Sequence, residues 1–187
     1  RADFDKCLAD TCEEMGINVH YQQEVTAIDI AADGTSITTI KDLQTGEDYT
    51  IKARFIVDGS GYGRVIPRLF NFEGKSSQNT RKTIFTHLTD PNRLEQAEPN
   101  RIIVYVPEDQ VWIWTIPFSN GNTSVGFVAD PSFFEQFTAE ELHDKFKQML
   151  ATEPILAHRF RDAAFLFEPR ILQGWSATTD RFYGNGF

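Results

Sequence analysis

The first part of the chain shows helical spacing of apolar positions, followed by runs that favour strands. Apolar residues recur every three or four positions between Phe4 and Met15, and Gly16 follows as a helix stop, so the pattern predicts a helix over residues 3–15. The run NVHY at 18–21 predicts a short strand. Residues 24–53 predict an antiparallel meander, because turns around Asp33-Gly34 and Thr45-Gly46 separate segments rich in strand formers.

A continuous apolar run distinguishes the next segment. The sequence RFIVD at 54–58 runs into the glycine-rich turn GSGYG, and RVIPRLF at 64–70 predicts a helical turn. A strand that is apolar on both faces suits a sheet covered on both sides, which usually means a parallel α/β sheet. We therefore expect residues 54–58 to form a strand of an α/β nucleotide-binding domain.

The pattern changes at Lys82, where four further strand-like runs begin. They are KTIFTHL (82–88), RIIVYVP (101–107), QVWIWTIPF (110–118) and TSVGFV (123–128). Helical patterns then cover residues 132–137, 139–151 and 154–165, with Thr138 and Glu141 spaced as a capping box, and EPRILQGW (168–175) predicts a last strand. The fold class predicted for the chain is α+β, with an α/β portion followed by an antiparallel sheet that carries helices on one side.

Two tryptophans mark the centre of the second part. Trp112 and Trp114 lie two residues apart, so on a strand both indoles point to the same face. The tetrapeptide Ser119-Asn120-Gly121-Asn122 supplies a tight turn into the next strand, which predicts a β-hairpin. Taken by itself, an aromatic pair of this kind is more often part of a core or sheet-face packing than of a binding site.

Composition narrows the classes of function. The formal net charge of −9 argues against binding nucleic acid or an anionic membrane by bulk electrostatics, and no run approaches the length of a membrane span. Cys7 and Cys12, the only two cysteines, are expected to be inert thiols in a reducing cytoplasm. No spacing of His, Cys or carboxylates predicts a metal site, and no residue is assigned as catalytic.

Three segments together resemble a known family. RADFDKCL (1–8), VDGSGYGR (57–64) and WIWTIPFSNGNTSVGFV (112–128) resemble the middle of FAD-dependent oxidoreductases with the para-hydroxybenzoate hydroxylase fold. The nearest branch is that of flavin-dependent tryptophan halogenases and geranylgeranyl-reductase-like flavoproteins. The Trp-x-Trp-x-Ile-Pro signature of the halogenases matches residues 112–117 at every fixed position. The resemblance implies that residues 1–79 are part of an FAD-binding domain, 80–175 a substrate-binding domain, and 176–187 a return to the first.

The resemblance also implies what this segment lacks. The family's Gly-x-Gly-x-x-Gly motif and its later Gly-Asp-Ala-like motif are not in these residues, so the chain is expected to be an internal segment and to be inactive when isolated. Gly59, Gly61 and Gly63 follow the meander and have no acidic residue on a following strand, so they do not form a dinucleotide fingerprint.

Particular positions inherit expected roles from this resemblance. Arg1 would reach the flavin's phosphate or ribose, and Val25 would meet the adenine through its backbone. The expected cofactor-binding set is Arg1, Val25, Asp58, Gly59, Ser60 and Gly61. The alternatives stay open: Arg1 as a mobile terminus, Val25 as an ordinary strand residue, and Asp58 as the cap of a tight turn.

The tryptophan hairpin would form the substrate side, as a rigid apolar wall that excludes water between flavin and substrate. The expected substrate-binding set is Phe85, His87, Trp112, Trp114, Ile116 and Pro117. For His87, a hydrogen-bonded structural role is the alternative.

The function expected is therefore an FAD-dependent oxidoreductase of the monooxygenase, halogenase or dehydrogenase type. Its flavin would be reduced by NAD(P)H or a flavin reductase, and its substrate would be a small apolar or aromatic molecule, free or carrier-bound. The alternative is a non-enzymatic module that binds an apolar ligand without redox chemistry.

Overall fold

The structure is a computed structural model that describes residues 2–76 and 78–187. Arg1, expected to contact the cofactor, lies outside the described residues. The chain divides into two compact units: the first comprises residues 1–74 and 178–187, and the second comprises residues 75–177. Within the described part, no helix combines the length and apolar character needed to cross a membrane.

The first unit begins with a helix and a three-stranded sheet. Helix α1 spans Ala2–Glu14, and strands β1 (Gln23–Ile30), β2 (Ser36–Asp42) and β3 (Asp48–Ala53) pair antiparallel in that order. The predicted helix and meander are both confirmed. Gly16 ends the helical run at a φ of 81°, a left-handed conformation that glycine adopts without a steric penalty. The strand predicted at 18–21 is wrong, because that segment has no regular structure.

Residues 54–58 do not form the predicted strand. Residues 55–60 have no regular structure, and Phe55 and Val57 are 60% and 85% exposed. A β-strand needs a neighbouring backbone along its length, whereas the sheet pairings described for this chain leave these residues out. The Ile56 amide does donate to the Gly186 carbonyl at 2.9 Å. The prediction of a strand here is therefore wrong.

The first unit continues through short elements. A 3-10 turn (Gly61–Gly63) leads into helix α2 (Val65–Leu69), as the predicted helical turn required, and strand β4 covers Glu73–Gly74.

The second unit is built on a five-stranded antiparallel sheet. Its strands are β5 (Lys82–Thr89), β6 (Ile103–Glu108), β7 (Val111–Pro117), β8 (Asn122–Ala129) and β9 (Arg170–Gln173). They lie in the order β6-β7-β8-β5-β9. These five strands correspond to the predicted runs, and the turn between β7 and β8 places Gly121 at a φ of 87°. The last strand, β10 (Thr178–Thr179), returns to the first unit and pairs with β4.

Two of the three helices of the second unit are shorter than the sequence pattern predicts. A 3-10 helix spans Pro131–Gln136, α3 spans Leu142–Ala151 and α4 spans Pro154–Arg159. The predicted capping box is wrong, because Glu141 is itself the N-cap residue of α3 and makes no side-chain cap. Helix α4 ends early because the chain turns to run beside β5, where the amide of Leu166 donates to the carbonyl of His87.

The core of the second unit lies on one face of its sheet. Alternate residues of the central strands, among them Ile84, Ile113 and Phe127, are buried against α3 and α4. The helices contribute Phe146, Met149 and Leu156 to this core. The observed mixture of helices and antiparallel sheets confirms the predicted α+β class.

A buried ion pair joins the end of β5 to α4. Arg159 Nη2 lies 2.5 Å from Asp90 Oδ2, and both side chains are fully buried. The Thr123 hydroxyl donates to the same carboxylate at 2.6 Å, and the Asn92 side chain donates to the Arg159 carbonyl at 3.0 Å. The contacts that Arg159 makes with Asp90 and Asn92 connect residues about seventy positions apart in the sequence.

Candidate functional site

The segment Asp58–Gly61 forms a turn that is held by its own side chains. Asp58 accepts hydrogen bonds from the amides of Ser60 (2.8 Å) and Ile66 (2.9 Å), and the Ser60 hydroxyl accepts from the amide of Val65 (3.0 Å). Burial of Asp58 works against ionisation, but the hydrogen bonds from Ser60 and Ile66 outweigh it and hold its pKa below the ordinary value. Asp58 and Ser60 therefore cap the start of α2.

The glycines of this turn leave the backbone uncovered. A Cβ built on Gly59 or Gly61 would meet no atom within 4 Å, and Gly61 has a φ of 53°. A ligand can approach the main chain at both positions more closely than it could approach a residue with a side chain.

The turn borders a cavity beneath the three-stranded sheet. The cavity has a volume of about 240 Å³ and brings Val25 together with Asp58, Gly59 and Ser60, four of the residues expected to bind the cofactor. Gly61, the fifth described member of that set, is adjacent in the chain but does not line the cavity. The volume is just below the roughly 300–1,000 Å³ typical of pockets that enclose a whole small ligand, so it suits one ring system.

A second cavity in the same unit lies between residues 55–58 and the C-terminal tail. It measures about 360 Å³, and its rim carries Phe182 and Tyr183, which are 84% and 81% exposed. Arg181 also lines it, with its guanidinium carbon 5.1 Å from the centre of the Phe72 ring. Our sequence analysis assigned no site residue in this tail, although an arginine beside two aromatic residues in DRFY (180–183) could have indicated a binding site.

The FAD implied by the resemblance can be tested against this geometry. The two cavities are mainly apolar, and a cation stands at one of them, which suits a planar ring and a nearby anionic group. The amides at the start of α2 are less suitable for a phosphate, because those of Val65 and Ile66 already donate to Ser60 and Asp58. The described residues therefore fit a ring portion of FAD, whereas the start of α2 does not fit its phosphates.

The residues expected on the substrate side share one face of the five-stranded sheet. Along β7, Trp112, Trp114 and Ile116 are half-buried and alternate with residues buried in the core. In the pairing register, Trp114 faces Gly126, which in turn faces Phe85. Ile116 is related in the same way, through Ser124, to His87. The structure thus brings Phe85, His87 and both tryptophans together on the side opposite the helices, while Pro117 ends the strand.

Aromatic contacts join these residues to two further rings. We call the set of Phe85, His87, Trp112, Trp114, Phe118 and Phe167 the aromatic face. The ring centres of Phe85 and Trp114 are 6.1 Å apart, and His87 lies 4.9 Å from Phe118 and 4.8 Å from Phe167. Sequence analysis missed Phe167 because it lies in an irregular segment, where no helical or strand spacing of apolar residues predicts which way a side chain points.

The aromatic face also carries polar groups. Burial, and then the positive charge of Arg170, lower the pKa of His87 below its ordinary value, so its imidazole is neutral at neutral pH. A neutral imidazole offers one donor and one acceptor. The guanidinium carbon of Arg170 stands 4.9 Å from the centre of the Phe167 ring, and that of Arg81 stands 5.4 Å from the centre of Trp112. Within residues 2–76 and 78–187, no group of three or more His, Cys, Asp or Glu is arranged to hold a metal ion.

Known proteins share this architecture. The solved structure of a flavoprotein/dehydrogenase from Cytophaga hutchinsonii matches all of this chain and 45% of its own, with 46% identity and a TM-score of 0.92. The flavin-dependent halogenase CmlS matches all of this chain and 34% of its own, with 26% identity and a TM-score of 0.84. The 1H-pyrrole-2-carbonyl-[peptidyl-carrier protein] chlorinase of Pseudomonas fluorescens is 25% identical over 172 residues, 82% of this chain and 38% of that protein.

This chain spans less than half of each of these relatives. The family described as FAD binding domain matches residues 1–177, nearly the whole chain. The first unit and the aromatic face lie largely within that match. The protein therefore belongs to the FAD binding domain family, and FAD is the cofactor of that family.

Proposed function

We propose that the chain is part of an FAD-dependent oxidoreductase that acts on an apolar or aromatic organic molecule. The observation that carries the proposal is the aromatic face, where six rings, half-buried rather than buried, lie on the side of the sheet that the helices leave uncovered. A hydrophobic core already exists on the opposite side, so packing of the second unit does not by itself require these rings.

Bound FAD would supply the redox chemistry: it would pass electrons from NAD(P)H or a flavin reductase to O2 or, in a dehydrogenation, accept them from the organic substrate. The chain's own contribution is to bind and to orient. Val25, Gly59 and Gly61 would present backbone to the cofactor, while Asp58 and Ser60 fix the turn that holds those glycines in place. Asp58 would act by shaping the site, since its two carboxylate oxygens already accept hydrogen bonds.

The aromatic face would take the substrate. Flat rings offer a large apolar contact area at a small loss of side-chain entropy, and they exclude water from a bound aromatic molecule. His87 would make the polar contact as a neutral imidazole. The reaction would be halogenation or hydroxylation, and the chlorinase of Pseudomonas fluorescens supports a substrate carried on a peptidyl-carrier protein. The flavoprotein/dehydrogenase of Cytophaga hutchinsonii supports a dehydrogenation instead.

The proposal is tested with the whole protein, loaded with FAD, by following substrate-linked reoxidation of the reduced flavin. Phe85→Leu and His87→Ala are expected to raise the KM for the organic substrate several-fold while the rate of flavin reduction stays the same. Ile155→Ala is the matched control, because it removes a half-exposed apolar side chain from α4, on the helix side of the sheet. Equal kinetics for all three variants would place the substrate elsewhere. A protein that binds the organic molecule without any flavin-linked reaction would instead be the ligand-binding module.

We also infer a reducing compartment, namely the cytoplasm. This is supported by the two free thiols, with Cys7 exposed and Cys12 half-exposed.

A further inference from the structure

Gly126 occupies a position where a residue with a side chain would be favoured. It lies in the middle of β8, a central strand, and its φ is not in the left-handed region that requires glycine. A glycine in a strand interior weakens the strand, because it has the largest backbone entropy to lose and no side chain to pack. A glycine at this position is explained if a neighbouring group occupies the space that a side chain would fill.

That neighbour is the indole of Trp114. A Cβ added to Gly126 would lie 2.2 Å from Cζ2, 2.3 Å from Cη2 and 2.6 Å from Cε2 of the indole. Contacts this short do not occur between real atoms, and the obstructing group is a rigid ring rather than the end of a flexible side chain. Trp114 and Gly126 are direct cross-strand partners, so the indole crosses over β8 at the glycine.

The indole is also fixed at its polar edge. Trp114 Nε1 donates a hydrogen bond to the hydroxyl of Ser124 at 3.1 Å. Ser124 lies two residues before Gly126, on the same face of the strand. The hydrogen bond therefore fixes one edge of the ring, and the absence of a side chain at Gly126 leaves room for the ring to lie against β8. The ring crosses the strand and comes within 6.1 Å of the Phe85 ring centre.

We propose that Gly126 and Ser124 are positioning residues, which hold the Trp114 indole across β8 so that it forms the floor of the aromatic face. Where this face takes the substrate, as in the proposed function, the residue at position 126 also determines specificity. Any side chain there lifts the indole away from the sheet and makes the face shallower. With glycine at position 126, the Trp114 indole lies as close to the sheet as it can, so the space above it is deepest.

A double-mutant cycle tests the steric part. Gly126→Ala is made in the wild-type, Trp114→Val and Trp112→Val backgrounds, and the thermal midpoint and near-ultraviolet circular dichroism are measured. In the wild-type and Trp112→Val backgrounds, the substitution is expected to lower the midpoint by several degrees and to change the aromatic spectrum. In the Trp114→Val background, it is expected to be neutral or stabilising, because the obstructing ring is gone. An equal loss in all three backgrounds, or no loss in the wild type, overturns the proposal.

Amide and indole hydrogen exchange tests the polar part. Ser124→Ala is expected to speed exchange of the Trp114 indole N–H, while that of Trp112 serves as the internal control and keeps its rate. Unchanged exchange at Trp114 would show that Ser124 does not hold the ring.

The same variants separate this inference from the function on which it rests. In the whole protein, Gly126→Ala is expected to raise the KM for the organic substrate several-fold, with flavin reduction unchanged. If the cycle holds and the KM does not move, Gly126 still positions Trp114, and the aromatic face is not the substrate site.

Discussion

Removing the buried arginine of the second unit should destabilise it severely. Arg159 makes three hydrogen bonds to the Asp90 carboxylate, and both side chains are inaccessible to water. In Arg159→Leu, Asp90 would keep only the hydroxyl of Thr123 as a partner. Breaking one side of a buried pair costs about 3–5 kcal/mol, because the other charge is left uncompensated. For a unit of about 100 residues, each kcal/mol lowers Tm by about 4–8 °C, which gives a fall of roughly 12–40 °C.

The assay is thermal unfolding followed by circular dichroism, beside urea unfolding of the same proteins. Arg101→Leu is the control, because Arg101 pairs at 2.6 Å with Glu98 on the surface, away from the buried network, and such pairs contribute about 0–1 kcal/mol. The double variant Asp90→Leu with Arg159→Leu should be more stable than Arg159→Leu alone, since it buries no unpaired charge. If Arg159→Leu cost no more than Arg101→Leu, the buried pair would not stabilise α4 against β5.

Two further predictions concern the first unit. The chain described here should bind FAD weakly or not at all, because the amides at the start of α2 already have acceptors. Titration with FAD followed by flavin fluorescence checks this. A sub-micromolar affinity would contradict the prediction and would indicate that the Gly59–Gly63 turn binds the phosphates. Asp58→Ala should cost about 0.5–2 kcal/mol near pH 7, as loss of a helix cap does. Because folding lowers the pKa of Asp58, its contribution is present above the ordinary carboxyl range and is lost as pH falls through the lowered value. Urea unfolding at neutral and acid pH should therefore show the difference from wild type shrinking in acid, and a difference independent of pH would contradict the capping role.

The elements that sequence analysis predicted correctly are those fixed by local patterns. Helix α1 ends at Glu14 because Gly16, two residues on, adopts a left-handed conformation. The indoles of Trp112 and Trp114 share a face because side chains alternate along a strand. The turn at Gly121 joins β7 to β8 for an equally local reason.

The features that sequence analysis missed depend on partners far away in the chain. The apolar run at 55–57 reads as a strand, but a strand also needs a neighbouring backbone, which the pattern does not supply. The Asp90–Arg159 pair and the packing of Trp114 over Gly126 depend on which strands and helices become neighbours and in what register. Asp58 was correctly placed in a glycine-rich turn, whereas its capping of α2 became visible only from the hydrogen bonds.

The most direct test of the central claim is Trp114→Ala in the whole FAD-loaded protein, with thermal midpoint and substrate-linked flavin reoxidation measured on the same samples. Truncating a fully buried aromatic residue costs about 3–5 kcal/mol, and the half-buried indole of Trp114 should cost less. The account predicts a modest fall in midpoint together with a clear change in turnover or in the coupling of flavin oxidation to substrate. A large loss of folding, with unchanged kinetics in the fraction that remains folded, would return Trp114 to a purely structural role and contradict the assignment of the aromatic face as the substrate site.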